Sequence, residues 1–320
     1  MQSALIAGAG ASGFLHALAL RSAGVRIAAV FDPDRASARN LVELVGGEPC
    51  TSLDRALRHD AAIAAVCSPP IHHVAQAAAL ADGRRLVFVE KPVALSNEEL
   101  ERLRTLPRVV PIVQWRSGRS ASELRAAIEA GVFGARPRIH CELRLWRDAA
   151  YFARRDAARW GCGAMLSIGI HALDLVLWIA NRRVVASRGR EGFGRPTIDV
   201  ATAGEIALEL EGGASARVAI TLDEPRACDV RLAVEGDGTT AYLHAAEADP
   251  TGTPLSWRGP RAVRYPAPAG ALGSPLLVPF IHEALAAPRP LAIDDVAAAH
   301  RLVFALTSRS APTDLCRRPA

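Results

Sequence analysis

The chain has 320 residues, half of them hydrophobic and 22% charged, with a formal net charge of +5. That length holds two domains of ordinary size, each with its own core, and no apolar run reaches the ~18 to 20 residues that span a bilayer. The positive charge comes from scattered arginines rather than from a basic run interleaved with aromatic platforms, so neither a nucleic-acid groove nor a membrane anchor is expected.

The N-terminus passes straight into Ala4-Leu5-Ile6-Ala7 without a basic n-region, which predicts no secretory signal and a cytoplasmic protein. Cys50, Cys67, Cys141, Cys162, Cys228 and Cys316 show no CxxC pair and no regular spacing, and read as free thiols without a zinc or other metal site.

In the first third, short apolar runs end near Ala7, Phe31, Cys67, Val89 and Val113. They alternate with helical stretches at Gly13–Ala23, Asp34–Val45, Leu53–His59, Ile71–Ala81 and Ser96–Thr105. Ser96 with Glu99 is a capping box. Strict alternation predicts a parallel, doubly wound sheet with helices on both faces, so residues 1–116 are read as a Rossmann dinucleotide-binding domain.

The first run leads into Gly8-Ala9-Gly10-Ala11-Ser12-Gly13. In such a loop Gly8 permits the tight turn, Gly10 admits a pyrophosphate to the backbone, and Gly13 lets the helix pack close to the sheet. The N–H groups of the helix start, at Ala11 and Ser12, face the phosphates. Asp32 stands 19 residues after Gly13 at the end of the second run. A carboxylate there accepts from both ribose hydroxyls and repels a 2′-phosphate, which favours NAD over NADP; Arg35 nearby is the group that could accept that phosphate. The alternative for Asp32 is a helix cap. Ser68, Pro69 and His73 follow the third run and border the expected cofactor, with a plain helix start as the other reading for the histidine.

The fourth run ends in Val89-Glu90-Lys91-Pro92, and Lys91 is the only lysine of the chain. Arginine serves every other basic position, but it cannot release a proton near neutral pH and its fork is bulky. Lysine is a compact ammonium able to take part in proton transfer.

The rhythm changes after Trp115. Ser120 with Glu123 predicts a capped helix closed by Gly131, followed by a strand with Ile139, Cys141, Leu143 and Leu145 on one face. The densest arginine stretch, Arg136 to Arg159, is interleaved with Glu142, Asp148 and Asp156. It reads as a solvated strand face and loop, or alternatively as an anion-binding rim. An apolar helix is expected over Ala164–Ala180, then strands near 200–210, 215–223, 228–235 and 239–244 with tight turns. A Pro/Gly-rich loop over 249–275 and a helical end over Leu277–Ser308 complete the chain. Residues 117–320 therefore read as an α+β domain on an open, mainly antiparallel sheet. In the 164–180 helix, Ser167, His171 and Asp174 share one face at i, i+4 and i+7, so His171 could take a hydroxyl proton and Asp174 could orient it.

Taken together and in this order, Gly8-x-Gly10-x-x-Gly13, Asp32-Pro33-Asp34, Ser68-Pro69-Pro70…His73 and Glu90-Lys91-Pro92 resemble the glucose–fructose oxidoreductase/inositol dehydrogenase (Gfo/Idh/MocA) family. The likeness continues through Gln114-Trp115-Arg116 and Gly161 to Leu175 and into the strand-rich half. Trp146-Arg147-Asp148…Tyr151 is similar to a branch acting on sugar nucleotides.

The resemblance implies an NAD-dependent oxidoreductase moving a hydride between nicotinamide and a secondary hydroxyl or ketone of a sugar, polyol or sugar nucleotide. It further implies that Lys91 and His171 form the acid/base pair and that Glu90 and Lys91 border the nicotinamide ribose. Arg116, Arg147, Tyr151, Ser167 and Asp174 are candidate substrate contacts. The open sheet would join a homodimer or homotetramer. Where the family usually has Asp four residues before the histidine, this chain has Ser167, and its glycine trio is Gly161-Cys162-Gly163, with Cys162 read as packing. Those departures leave two alternatives: redox-neutral lyase or glycosidase chemistry on catalytic NAD, or a non-enzymatic nicotinamide-binding sensor.

Overall fold

The computed structural model describes residues 2–154, 163–195, 197–246, 255–259 and 274–310. The N-terminal half alternates β1 (Ser3–Ala7), α1 (Ala11–Ser22), β2 (Arg26–Phe31), α2 (Arg35–Val45), β3 (Glu48–Cys50), α3 (Leu53–Leu57), β4 (Ile63–Val66), α4 (His73–Leu80), β5 (Leu86–Val89), α5 (Asn97–Arg104) and β6 (Val109–Pro111). The strands form one parallel sheet in the order β3-β2-β1-β4-β5-β6. Every residue of β1, β4 and β5 is buried, as expected of strands covered on both faces. The order reverses between β1 and β4, and a crevice at such a switch point is where a nucleotide binds in this architecture.

The helix starts are chemically specified. Asp34 caps α2 by accepting from the Ala36 and Ser37 N–H groups, and Ser52 caps α3. Ser96 caps α5 by accepting from Glu99 N–H, while Glu99 reaches back to the N–H of Leu95 rather than that of Ser96.

The second half contains α6 (Arg119–Glu129), β7 (Arg138–Trp146), α7 (Ala149–Arg154), α8 (Ile170–Ala180), β8 (Val184–Gly192), β9 (Ala203–Leu210), β10 (Ser215–Thr221), β11 (Asp223–Gly236), β12 (Thr239–Ala246), β13 (Ser256–Arg258), α9 (Leu277–Ala286) and α10 (Asp294–Ser310). Its seven strands run β13-β12-β11-β7-β10-β9-β8, antiparallel except for the β7–β10 pair. Ile139, Cys141, Leu143 and Leu145 bury one face of β7 as predicted, together with Val218, Leu232 and Leu243 of neighbouring strands. The outer face carries charged ladders such as Arg138–Glu235 and Arg217–Glu205.

Several expectations need correction. Ser120 does not cap α6: Gly118 holds the cap position without a side-chain bond, and the Ser120 hydroxyl is buried with no partner. The expected helical end is two helices, because Pro288 and Pro290 interrupt it. Three strands lacked a signal. All are edge strands, where one side needs no ladder partner and the polar residues of β8 or the proline of β3 are tolerated. The expected helix from Ala164 begins instead with a wide π turn at Met165–Gly169. Cys50, Cys67, Cys141 and Cys228 are free thiols; Cys162 and Cys316, with most of the expected 249–275 loop, lie outside the described residues. Among the described residues no helix is long and apolar enough to cross a membrane.

Candidate active site

The three glycines of the first loop are required for three different reasons. Gly8 has φ +106°, and a Cβ there would lie 2.6 Å from Ser68 N, where β1 and β4 diverge. A Cβ on Gly13 would overlap the Gly8 carbonyl oxygen and lie 3.3 Å from Ile6 Cγ2. A Cβ on Gly10 would meet no protein atom within 4 Å. Gly10 also caps α1, and no side chain satisfies that helix start. The first-turn N–H groups around Ala11, Ser12 and Gly13 thus face a cradle that a phosphate fits.

Asp32 closes this loop. Its Oδ2 accepts from Ala9 N–H at 2.8 Å and its Oδ1 from Asp34 N–H at 2.9 Å. It is not the cap of α2, since Asp34 holds that position. Arg35 is exposed at the first position of α2. Ser68 and Pro69, half-buried beyond β4, border the same crevice, and the Ser68 hydroxyl donates to Gln76 Oε1 at 2.8 Å. His73 is only 1% exposed and sits 2.8 Å from both the Ser68 and Pro92 carbonyls through its two ring nitrogens. It therefore ties the loops together from beneath instead of presenting a face to a cofactor.

Beyond β5 the Glu90 carboxylate is buried. Its Oε1 lies 2.9 Å from His16 Nε2 and its Oε2 accepts from Lys91 N–H at 3.0 Å. Burial alone would raise its pKa; the bond and charge of His16, with Lys91 and His171, outweigh that and hold it at about 2. Lys91, half-buried and followed by a cis peptide to Pro92, donates from Nζ to the Ser167 carbonyl at 2.8 Å. Ser167 lies in the π turn, and its hydroxyl stays near its own helix, 3.5 Å from the Ala164 carbonyl. The backbone of residue 167 thus supplies an acceptor beside Lys91.

His171, at the start of α8, is 7% exposed and stacks on Trp115 with ring centroids 5.2 Å apart. Burial first, and then the positive charge of Lys91, pull its pKa down to about 3, against the opposing pull of Glu90. It is neutral at pH 7, and no described residue hydrogen-bonds its ring nitrogens, so they remain available to an incoming hydroxyl.

Asp174 does not orient His171. Its carboxylate takes a two-point contact from Arg116, Nε to Oδ2 at 2.8 Å and Nη2 to Oδ1 at 2.5 Å, with side chains 4% and 11% exposed. Arg116 also donates to the Asp295 carbonyl at 2.7 Å. The planar fork matches a carboxylate, so the pair satisfies itself and neither member is directed at a substrate. Arg147 and Tyr151 are adjacent, the guanidinium 5.4 Å from the ring centroid, beyond the end of β7. Two participants carry no role legible in the sequence: Trp115, and His16, whose one signal is a histidine on the core face of α1.

A family model described as an oxidoreductase family with an NAD-binding Rossmann fold matches residues 3–108, and one described as a GFO/IDH/MocA C-terminal domain matches residues 121–242. No curated protein matches. Among solved structures, the WlbA dehydrogenase of Bordetella pertussis in complex with NADH and UDP-GlcNAcA is 21% identical, with 98% of this chain and 97% of that one covered and a TM-score of 0.80. GenD2 of gentamicin A biosynthesis, in complex with NAD, is 20% identical over 98% and 95% of the two chains with a TM-score of 0.81. An oxidoreductase of Agrobacterium radiobacter in complex with NAD+, L-tartaric acid and magnesium is 18% identical over 98% and 97%, also with a TM-score of 0.81. At such identities these likenesses establish the shared fold.

Proposed function

The chain belongs to the Gfo/Idh/MocA family of NAD-binding oxidoreductases, and from that premise we propose that it moves a hydride between NAD and a secondary hydroxyl or ketone of a sugar, polyol or sugar nucleotide, with Lys91 and His171 as the acid/base pair. The observation that carries this reading is the convergence of Lys91, from the carboxyl edge of the first sheet, with the π turn that precedes α8 in the second half. The bond from Nζ to Ser167 O sets the ammonium beside the turn that leads into neutral His171.

NAD, when bound, supplies the nicotinamide C4 that accepts or returns the hydride. The Gly8–Gly13 loop would hold its pyrophosphate, Asp32 its adenosine ribose, and Ser68, Pro69, Glu90 and Lys91 would border the nicotinamide ribose. For oxidation, His171 takes the hydroxyl proton while the Lys91 ammonium donates to the reacting oxygen as its negative charge grows. Glu90, ionised by its partners, offsets the desolvation of the Lys91 ammonium and of His171 once it holds the proton. Asp32 favours NAD over NADP. Arg147 and Tyr151, adjacent beyond β7, would contact the substrate's outer part, a reading that draws on the sugar-nucleotide complex of the structurally similar WlbA. The outer face of the second sheet is the surface on which a second copy would dock.

The test is to incubate the protein with NAD+ and a panel of sugars, polyols, sugar acids and nucleotide sugars, following absorbance at 340 nm beside Lys91→Met. The expected result is a substrate-dependent rise that falls by roughly 10²- to 10⁴-fold in the variant, the range for loss of a positioned acid/base group. Near-normal turnover of Lys91→Met overturns the assignment. Substrate consumption without net absorbance change assigns redox-neutral chemistry instead.

A further inference from the structure

The four residues that carry the only lysine are gripped by three buried histidines from three helices. His16 of α1, 0% exposed, meets the Glu90 carboxylate through Nε2 at 2.9 Å. His73 of α4, 1% exposed, meets the Pro92 carbonyl through Nδ1 at 2.8 Å. His300 of α10, 2% exposed, accepts from Val93 N–H through Nε2 at 3.2 Å, while its Nδ1 lies 3.1 Å from Val296 O. Residues 90, 92 and 93 thus each have a histidine, and Lys91 between them reaches Ser167.

Burying an imidazole costs free energy that an aliphatic or phenyl side chain of similar size would not incur. His16 adds to that cost, because its Nδ1 is buried without a partner. Three such side chains on one tetrapeptide are not what core packing selects. Imidazole chemistry does explain them. His300 must accept from an amide on one edge of its ring and donate to a carbonyl on the other, which a neutral imidazole does and an aliphatic or phenyl side chain cannot. α1 is also the helix opened by the glycine loop. His16 therefore links the pyrophosphate cradle directly to the residue preceding Lys91.

We propose that His16, His73 and His300 are positioning residues that hold the Glu90–Val93 segment so that Lys91 stays in register with α8. The functional part of the proposal rests on Lys91 as the group that binds the reacting oxygen. Directional hydrogen bonds to the segment fix one geometry where apolar packing tolerates several, and misplacing a reacting group by about 1 Å costs up to about 10²-fold in rate.

The lone lysine permits a test that needs no substrate. Acylation of Lys91 by acetic anhydride is followed by mass spectrometry, with the N-terminal amine as internal reference, in the intact protein and in His16→Asn, His16→Gln, His300→Asn and His300→Gln. Glutamine places its amide near the Nε2 position, whereas asparagine stops short of it. The expected result is acylation of Lys91 several-fold faster in the asparagine variants and restored toward the parent rate in the glutamine variants. With a turned-over substrate, kcat should fall about tenfold or more in the asparagine variants while the KM for NAD changes less than kcat. Unchanged acylation and unchanged kcat in folded asparagine variants overturn the proposal. So does faster acylation that glutamine fails to restore, because that is general loosening. Should an asparagine variant not fold, the glutamine variant of the same histidine decides by matching the parent or not. If Lys91→Met keeps its turnover the catalytic reading falls, whereas the acylation ratio still decides whether the histidines hold the segment.

Discussion

Gly10→Ala should leave the fold intact and cost the protein its cofactor, whereas Gly13→Ala, three residues on, should damage the fold. At Gly10 the backbone (φ −77°, ψ −168°) is open to any L-residue, and the added methyl would meet no protein atom within 4 Å. Alanine is a poorer helix cap than glycine by about 0.5 to 1 kcal/mol, but it lowers unfolded-state entropy by about 0.4 to 1 kcal/mol. The two effects cancel to within about 1 kcal/mol. At Gly13 the methyl overlaps the Gly8 carbonyl and crowds Ile6, so strand and helix must separate at a cost of about 1 to 3 kcal/mol or more. The open space at Gly10 matters only if a ligand fills it. A methyl that keeps a pyrophosphate from the α1 N–H groups should weaken NADH at least tenfold, about 1.4 kcal/mol. Fluorescence titration with NADH, beside urea denaturation of both variants, provides the measurement. A folded Gly10→Ala protein that binds NADH like the parent refutes the placement of the pyrophosphate.

Asp32→Ala should raise the Kd for NAD and narrow the preference over NADP, since both the ribose acceptor and the tie to Ala9 are removed; an unchanged NAD/NADP ratio in paired titrations would contradict the role given to Asp32. Arg116→Met strands a buried carboxylate at Asp174, and urea denaturation should show a loss of about 3 to 5 kcal/mol. Acid should weaken the fold through His171 and His300, whose pKa values of about 3 and about 4 lie below the ~6.5 of an unfolded histidine. Between pH 6.5 and 4 the unfolded chain binds protons that the folded one refuses, so stability is full above pH 6.5 and declines as pH falls. The slope approaches about 1.4 kcal/mol per pH unit for each histidine. His300→Gln should flatten that slope in urea midpoints taken from pH 7 to 4. Glu90, held at about 2, adds a further loss as pH drops below the usual carboxylate range.

Much of the site was legible in the sequence because its chemistry is local. Gly8, Gly10 and Gly13 act through backbone geometry within six residues, Asp32 through its place at a strand end, and Lys91 through being the one ammonium among arginines. The buried parallel strands announced themselves as apolar runs, while β3, β8 and β13 did not, since an edge strand satisfies only one neighbour.

Where sequence reasoning went astray, the deciding partner was distant. Helical spacing put Asp174 on the face of His171, but Arg116 arrives 58 residues away with a fork that fits the carboxylate. The π turn rotated Ser167 so that its carbonyl, not its side chain, meets Lys91. His16, His73 and His300 lie 74, 19 and 207 residues from their partners in the lysine segment. By itself, the order of residues determined which elements form and which chemical groups they carry, because propensity, turn chemistry and periodicity are properties of neighbours along the chain. Only the tertiary structure decided which donor meets which acceptor, because buried polar groups must find partners within about 3 Å wherever the packed elements bring them.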